Sequence, residues 1–264
     1  MYWIEFRRYI IIFFIVLLVD GCDSNTKVKE ADKVIVTIGG EEYIRRKIES
    51  KLQISSVEKY DIQLFSEYLN EDTLKDILIL VNRKDFAFQH AKANKSEVFF
   101  EKTIFTAPYN YVFVLMGGDK ELISTTPIGS NVNYPLNIHF LKLTSEAKTD
   151  FYIEYRVRNS LYRNYYTLKK DQLYLTFNCP VFDEIGRNHP KVYEIEHAKS
   201  KVRIAKDIAL YQGELEGYNP KSISDTNYYT PQGIIKTDSL VAYFIFNEKI
   251  MKYVTPMKPI EKIN

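Results

Sequence analysis

Val34-Ile-Val-Thr-Ile-Gly-Gly-Glu-Glu-Tyr43 is the stretch on which the fold reading turns. Its β-branched apolar run reads as a buried strand and the two glycines as the turn that ends it. From Glu41 the pattern becomes helical, with Ile44, Ile48 and Leu52 four apart on one face. Glu41 and Glu42 stand where negative charge suits a helix start. The same unit recurs downstream. Ile62 and Leu64 alternate with polar residues as in a strand, Leu74, Ile77, Leu78 and Val81 take helical spacing, and Asp85-Phe-Ala-Phe-Gln89 reads as a second short buried strand. Strand, helix, strand in succession implies parallel strands joined by crossover helices, hence an α/β protein.

Outward from there, 103–106 and 109–116 read as extended segments around Pro108, and Gly117-Gly118 marks a crossing between lobes. Ile128-Gly-Ser-Asn131 is a turn leading toward a helix. Val157, Leu161, Tyr165 and Leu168 predict an amphipathic helix, and 171–177 a strand ending at Asn178, Cys179 and Pro180. A helix over 181–187 would take Pro180 in its first turn. Residues 201–205 read as a short strand and 213–220 as a Gly-, Pro- and Asn-rich loop. The near-continuous apolar run at 239–246 predicts a strand buried on both faces.

At the N-terminus, Arg7 and Arg8 precede an apolar run from Tyr9 to Val19, followed by Gly21 and Cys22. A positive region, a short apolar core and a small residue form the layout of a secretory signal peptide. The run is too short to span a bilayer, which takes roughly 20 residues. The cysteine closing it resembles the lipobox of bacterial lipoproteins, although Asp20 stands where a small or apolar residue is usual. The resemblance implies cleavage after residue 21, acylation (palmitate) of Cys22, a polar tether over 22–32, and a membrane-anchored protein on the periplasmic face. Asp23, next after Cys22, resembles an inner-membrane retention signal. With Cys22 acylated, Cys179 is a free thiol, read as a buried small hydrophobe. The formal net charge of +2 gives no electrostatic case for nucleic acid as a partner. The 21 tyrosines suit core and cleft walls alike.

Catalytic patterns are not found in the sequence. His90, His139, His189 and His197 are scattered, without metal-ligand spacing. Neither a Gly-x-Ser-x-Gly elbow nor a phosphate loop occurs. The reading is therefore of a protein that is not an enzyme, with no metal and no cofactor.

The order of four segments resembles the solute-binding proteins of TAXI type that serve TRAP transporters, which have the type II periplasmic-binding fold. The segments are 34–39, Lys84-Asp-Phe-Ala-Phe-Gln-His90, 168–180, and 223–246 with its Ser224-Asp-Thr-Asn-Tyr228. The resemblance implies two lobes, each a mostly parallel sheet flanked by helices. Lobe one comprises 33–118 plus 213–264, lobe two 119–212. It further implies a monomer that captures a small solute in the cleft and presents it to a membrane permease. Matching cleft positions are Gly39, Gly40, Glu41 and Tyr43 after the first strand, Gln89, Gly129, Ser130 and Asn131, Asn178, and Tyr228 and Tyr229. Glu41 would repel an anion bound there. The shortened turn at Gly39-Gly40 and the reduced C-terminal region point to an alternative, an interaction or sensor module on a degenerate cleft.

Overall fold

The computed structural model describes residues 29–30, 38–118, 120–124 and 127–256. Cys22 and the strand expected at 34–38 lie outside the described residues, except Ile38, which begins a helix. Among the described residues the chain forms thirteen strands in two sheets, with every pairing antiparallel. The expected α/β fold with mostly parallel sheets in two lobes is thus corrected to a predominantly antiparallel β architecture.

The smaller sheet has the order β2-β3-β4-β5, with β2 Asp61–Glu67, β3 Asp76–Asn82, β4 Asn110–Leu115 and β5 Leu122–Ser124. One face carries helix α1 (Ile38–Leu52), whose Ile44 and Ile48 pack on Leu64, Ile79, Val81 and Phe113. The other face packs against the larger sheet, where Leu78, Leu80, Val112 and Val114 meet Ile138, Phe140, Phe151 and Ile153. Between β3 and β4 run α2 (Lys84–Ala93) and α3 (Glu97–Thr106). Ser96 caps α3, its hydroxyl accepting the Phe99 N–H. The bend after β4 requires glycine, since a Cβ on Gly117 would lie 2.4 Å from the Lys75 carbonyl oxygen.

The larger sheet runs β1-β6-β7-β8-β9-β10-β11-β12-β13. Its strands are β1 Lys29–Glu30, β6 Asn137–Leu141, β7 Asp150–Val157, β8 Ser160–Lys169, β9 Gln172–Asp183, β10 Lys191–Ala198, β11 Asp207–Leu215, β12 Ile234–Asn247 and β13 Lys252–Val254. It rolls over on itself. β9 pairs with β10 only through Asp183–Lys191 and Phe182–Val192. Farther along β9, Phe177 packs on Phe244 and Tyr253 of the returning strands. The roll encloses a second core containing Tyr152, Tyr165, Phe177, Ile208 and Phe246.

Two element assignments invert for one physical reason. β3 lies between α1 and the larger sheet, so six of its seven residues are buried. Such a strand carries few polar positions to mark its period, and its Ile77, Leu78 and Val81, taken with Leu74 of the preceding turn, mimic a helical spacing. β8 likewise contains Leu161, Tyr165 and Leu168, with Tyr165 facing one core and Leu168 the other. Asp85 to Gln89 belongs instead to α2, which buries Ala87 and Ala91 one turn apart, and 103–106 belongs to α3.

Pro180 does not start a helix. It lies within β9, opposite Tyr162 at a register shift where β9 carries an extra residue. A bulge is where a strand tolerates a proline. β9 continues to Asp183, replacing the expected helix start at Val181. Ile128 to Asn131 leads into turns and then β6, not into a helix. Lys201 to Ala205 is not a strand, and β11 extends through Gly213 to Leu215. The strand read at 239–246 belongs to β12, yet Leu240 and Val241 are about half exposed there, so burial on both faces does not hold.

Candidate functional site

The concave face of β6 to β9 carries two cross-strand rows of side chains. Register aligns Asn137, Glu154, Arg163 and Cys179 in one row, and His139, Tyr152, Tyr165 and Phe177 in the next. Opposed residues on one face of an antiparallel sheet lie close enough to interact directly. Arg163 Nε and Nη2 both donate to Glu154 Oε1, at 3.2 and 2.6 Å. The guanidinium also lies 4.1 Å from the Tyr152 ring centroid. On the far side of Glu154, His139 Nε2 stands 3.5 Å from Oε2.

A relay leads inward from Arg163. Its Nη1 donates to the Tyr165 hydroxyl at 3.2 Å, and that oxygen lies 3.0 Å from His197 Nε2. With the Tyr165 oxygen accepting from a cation, its own proton points to His197, which assigns the neutral Nδ1–H tautomer. Burial, reinforced by the charges of Arg163 and Lys206, pushes His197 down to about 3. Burial would raise the Glu154 carboxyl, but the hydrogen bond from His139 and the charge of Arg163 outweigh it and hold the group at about 2. Arg163 is itself held above the ordinary arginine range, because Tyr165, Tyr152 and Glu154 outweigh its burial. Glu194 of β10 faces the same guanidinium, yet burial pushes its carboxyl upward. Cys179 is a buried free thiol, raised to about 12 by burial.

At one end of these rows a cavity of about 500 Å³ opens between the sheet and the segment leading into β12. Tyr134, Phe182, Tyr193 and Pro231 give it an apolar wall, and Glu154, Arg163 and Glu194 a charged one. Arg156 lines it as well and differs from Arg163, which Glu154 pairs. It is 7% exposed, and no carboxylate pairs with it among the described residues. Its Nη1 donates to the Tyr229 carbonyl at 2.6 Å and its Nη2 to the Thr226 and Asn227 carbonyls at 3.4 Å, while Nε has no partner. Tyr134 and Phe182 rings lie 5.6 and 5.1 Å from it. Burial lowers its proton affinity.

The positions singled out from the sequence are dispersed. Gly39, Gly40, Glu41 and Tyr43 form the first turns of α1, where Glu41 accepts from Arg45 Nε at 2.9 Å. Gln89 is exposed on α2. Gly129, Ser130 and Asn131 form the link before β6, with the Ser130 hydroxyl donating to Ile128 O and accepting from Asn110 Nδ2. Asn178 lies mid-β9 and donates to the Tyr155 hydroxyl at 3.3 Å and to Asn164 Oδ1. Tyr228 packs on Phe105 and Tyr134. None of these eleven lines the cavity. Two support Arg156: Tyr229 through its carbonyl, and Asn131, whose N–H donates to the Arg156 carbonyl at 2.7 Å.

Glu154, Arg156 and Arg163 went unnoticed in the sequence. The signal was available in Tyr152-Ile-Glu-Tyr-Arg and Leu161-Tyr-Arg-Asn-Tyr, two alternating aromatic and charged runs flanking a short turn, a hairpin signature. Among the described residues no group of three or more His, Cys, Asp and Glu side chains is placed to hold a metal ion, and no helix is long and apolar enough to cross a membrane. No family model, no curated protein and no solved structure matches this chain.

Proposed function

We propose that the protein is a small-molecule-binding lipoprotein that takes an anionic ligand with an aromatic or apolar body into the cavity beside Arg156. The observation that carries the reading is the unpaired buried guanidinium in a cavity wall. A buried charge without a counter-ion is costly, and an anion bound beside it offsets that cost. A volume of about 500 Å³ falls within the usual range for small-molecule sites, and the Tyr134, Tyr193 and Phe182 rings suit a flat apolar body. Specificity for charge rests on the wall's asymmetry: Arg163 is already neutralised by Glu154, Arg156 is not, and burial pushes the carboxyl of Glu194 toward its neutral form. Recognition here is by insertion into one rolled sheet, not by closure of two lobes. The order of charges and apolar residues before Cys22 supports display at a membrane.

Thermal-shift and calorimetric titration of the full chain in detergent tests this. The ligand panel is 4-hydroxybenzoate, indole-3-acetate and phenyl phosphate, each with its uncharged amide or alcohol counterpart. At least one anion is expected to raise the melting temperature while its neutral counterpart does not. Arg156→Met is expected to weaken that anion at least about tenfold, as loss of a charge-assisted contact does. Equal binding of acid and neutral partner, or binding unchanged in the variant, overturns the reading.

A protein-interaction role is the second reading. Among the described residues β12 is paired on one side only from Ile234 to Phe244, and Ile235, Leu240 and Val241 stand exposed along it. Such an edge accepts an added strand. The Arg156→Met variant leaves this edge untouched, so partner capture that survives the substitution belongs to the edge and not to the cavity.

A further inference from the structure

A second cavity, of about 440 Å³, lies toward the other end of β8, where the β8–β9 and β12–β13 turns meet the link between β6 and β7. Lys148 lines it and is 8% exposed. Its Nζ donates to Thr167 Oγ1 at 2.7 Å and to the Leu168 carbonyl, and no carboxylate forms an ion pair with it among the described residues. Thr167 Oγ1 lies 3.1 Å from Thr144 Oγ1, which lies 2.9 Å from Asp150 Oδ2. Asp150 is fully buried and also accepts the Leu143 and Thr144 N–H groups, so the hydroxyl chain has a fixed acceptor at its inner end.

Lys148 is an unusual lysine. A side chain of this kind normally keeps its ammonium in water. Here burial disfavours the charged form, and the Lys169 charge adds to that, while Asp150 and Glu71 act the other way. An amine that has given up its proton here would spend its two N–H bonds on Thr167 and Leu168 and keep its lone pair free. A buried amine with a free lone pair at a cavity wall is a nucleophile. Lys169 and Lys170 line the same cavity with Glu71 and Glu248, so the charges of the wall offset one another, and Ser145 and Thr144 add hydroxyl groups for a polar substituent.

We propose that Lys148 is a covalent capture site for small aldehydes, binding them as an imine. The amine nitrogen adds to the carbonyl carbon, forming a C–N bond. The carbonyl oxygen then leaves as water with the two amine hydrogens, giving Lys148 N=CH–R with no change in oxidation state. This site is separate from the Arg156 cavity and does not depend on it.

The test uses pyridoxal 5′-phosphate as probe on the full chain in detergent, followed by borohydride reduction and peptide mass mapping. Lys148 is expected to carry the reduced adduct at probe concentrations at least about tenfold below those that modify exposed lysines. Thr167→Val keeps the amine but removes one of its partners, and is expected to lower Lys148 modification several-fold while exposed lysines react as before. Lys148→Arg removes the low-concentration adduct altogether. Modification of Lys148 only alongside the exposed lysines, or none at it, overturns the proposal. That result is read on the unsubstituted protein and holds even if a variant fails to fold.

Discussion

The two faces of β7 are built for different tasks. Phe151 and Ile153 point toward the smaller sheet, into a core of aliphatic and aromatic side chains. Tyr152, Glu154 and Arg156 point the other way, and two of these three are charged. Both faces are withdrawn from water, so the second must satisfy its charges internally. It does so for Glu154 through Arg163 and does not for Arg156. An apolar face loses stability with the volume removed from it, whereas a charged buried face loses stability when one of its pairs is broken.

The largest expected effect breaks one such pair. Arg163→Met removes the guanidinium that donates twice to Glu154, leaving that carboxylate only its weaker contacts to His139 and Asn137, and should cost about 3–5 kcal/mol in urea unfolding. The double variant Glu154→Leu with Arg163→Met should recover most of that loss. If the double variant is as unstable as the single one, the pair is not the unit that holds this face together.

On the apolar face, Ile153→Ala should cost about 2–5 kcal/mol, with the loss toward the upper end because Ile153 is fully buried between two packed layers. Anion binding at Arg156 should persist in the surviving folded fraction. Loss of both together would show that the two faces are not separable.

The third effect vanishes at neutral pH and grows as pH falls. His197 has a folded value of about 3, below an unfolded value near 6.5. Between those limits the unfolded chain binds the proton that the folded one refuses. Its contribution to stability is therefore complete above about pH 6.5 and falls as pH drops toward 3, by up to about 1.4 kcal/mol per pH unit. Glu154 adds to the acid limb lower down, its stabilisation being lost as pH falls from the ordinary carboxylate range through about 2. His197→Gln should flatten the decline between pH 6.5 and 4.5. An unchanged slope there would falsify the assignment of a neutral buried His197.

Sequence periodicity located α1 and β2, each with one buried face, and misread β3 and β8, which have two. α1 was legible because Ile44 and Ile48 alone of its inward positions are buried while the rest meets solvent. β2 was legible through Ile62 and Leu64. β3 and β8 were not, since layers on both sides remove the polar positions that mark a period of two. The parallel topology inferred from them fell with them. The site was less legible still. Glu154 and Arg163 are nine residues apart and meet only because a hairpin registers them, and the isolation of Arg156 is a property of its surroundings, which no local pattern encodes.

The join between β9 and β10 carries a consequence for the way the molecule opens. Two residue pairs at Asp183 and Phe182 are the whole ladder between β6–β9 and the panel made of β10 to β13, whereas β10 with β11 and β11 with β12 are joined along most of their length. What otherwise holds the panel down is side-chain contact, such as Phe177 against Phe244 and the Lys252 amine on the Leu175 carbonyl. Backbone amides within the panel should therefore exchange with solvent deuterium as one cooperative group, at a lower free energy than those of β7 and β8. The panel is a leaf hung on a two-pair hinge, and both the Arg163–Tyr165–His197 relay and the cavity beside Arg156 lie in its crease.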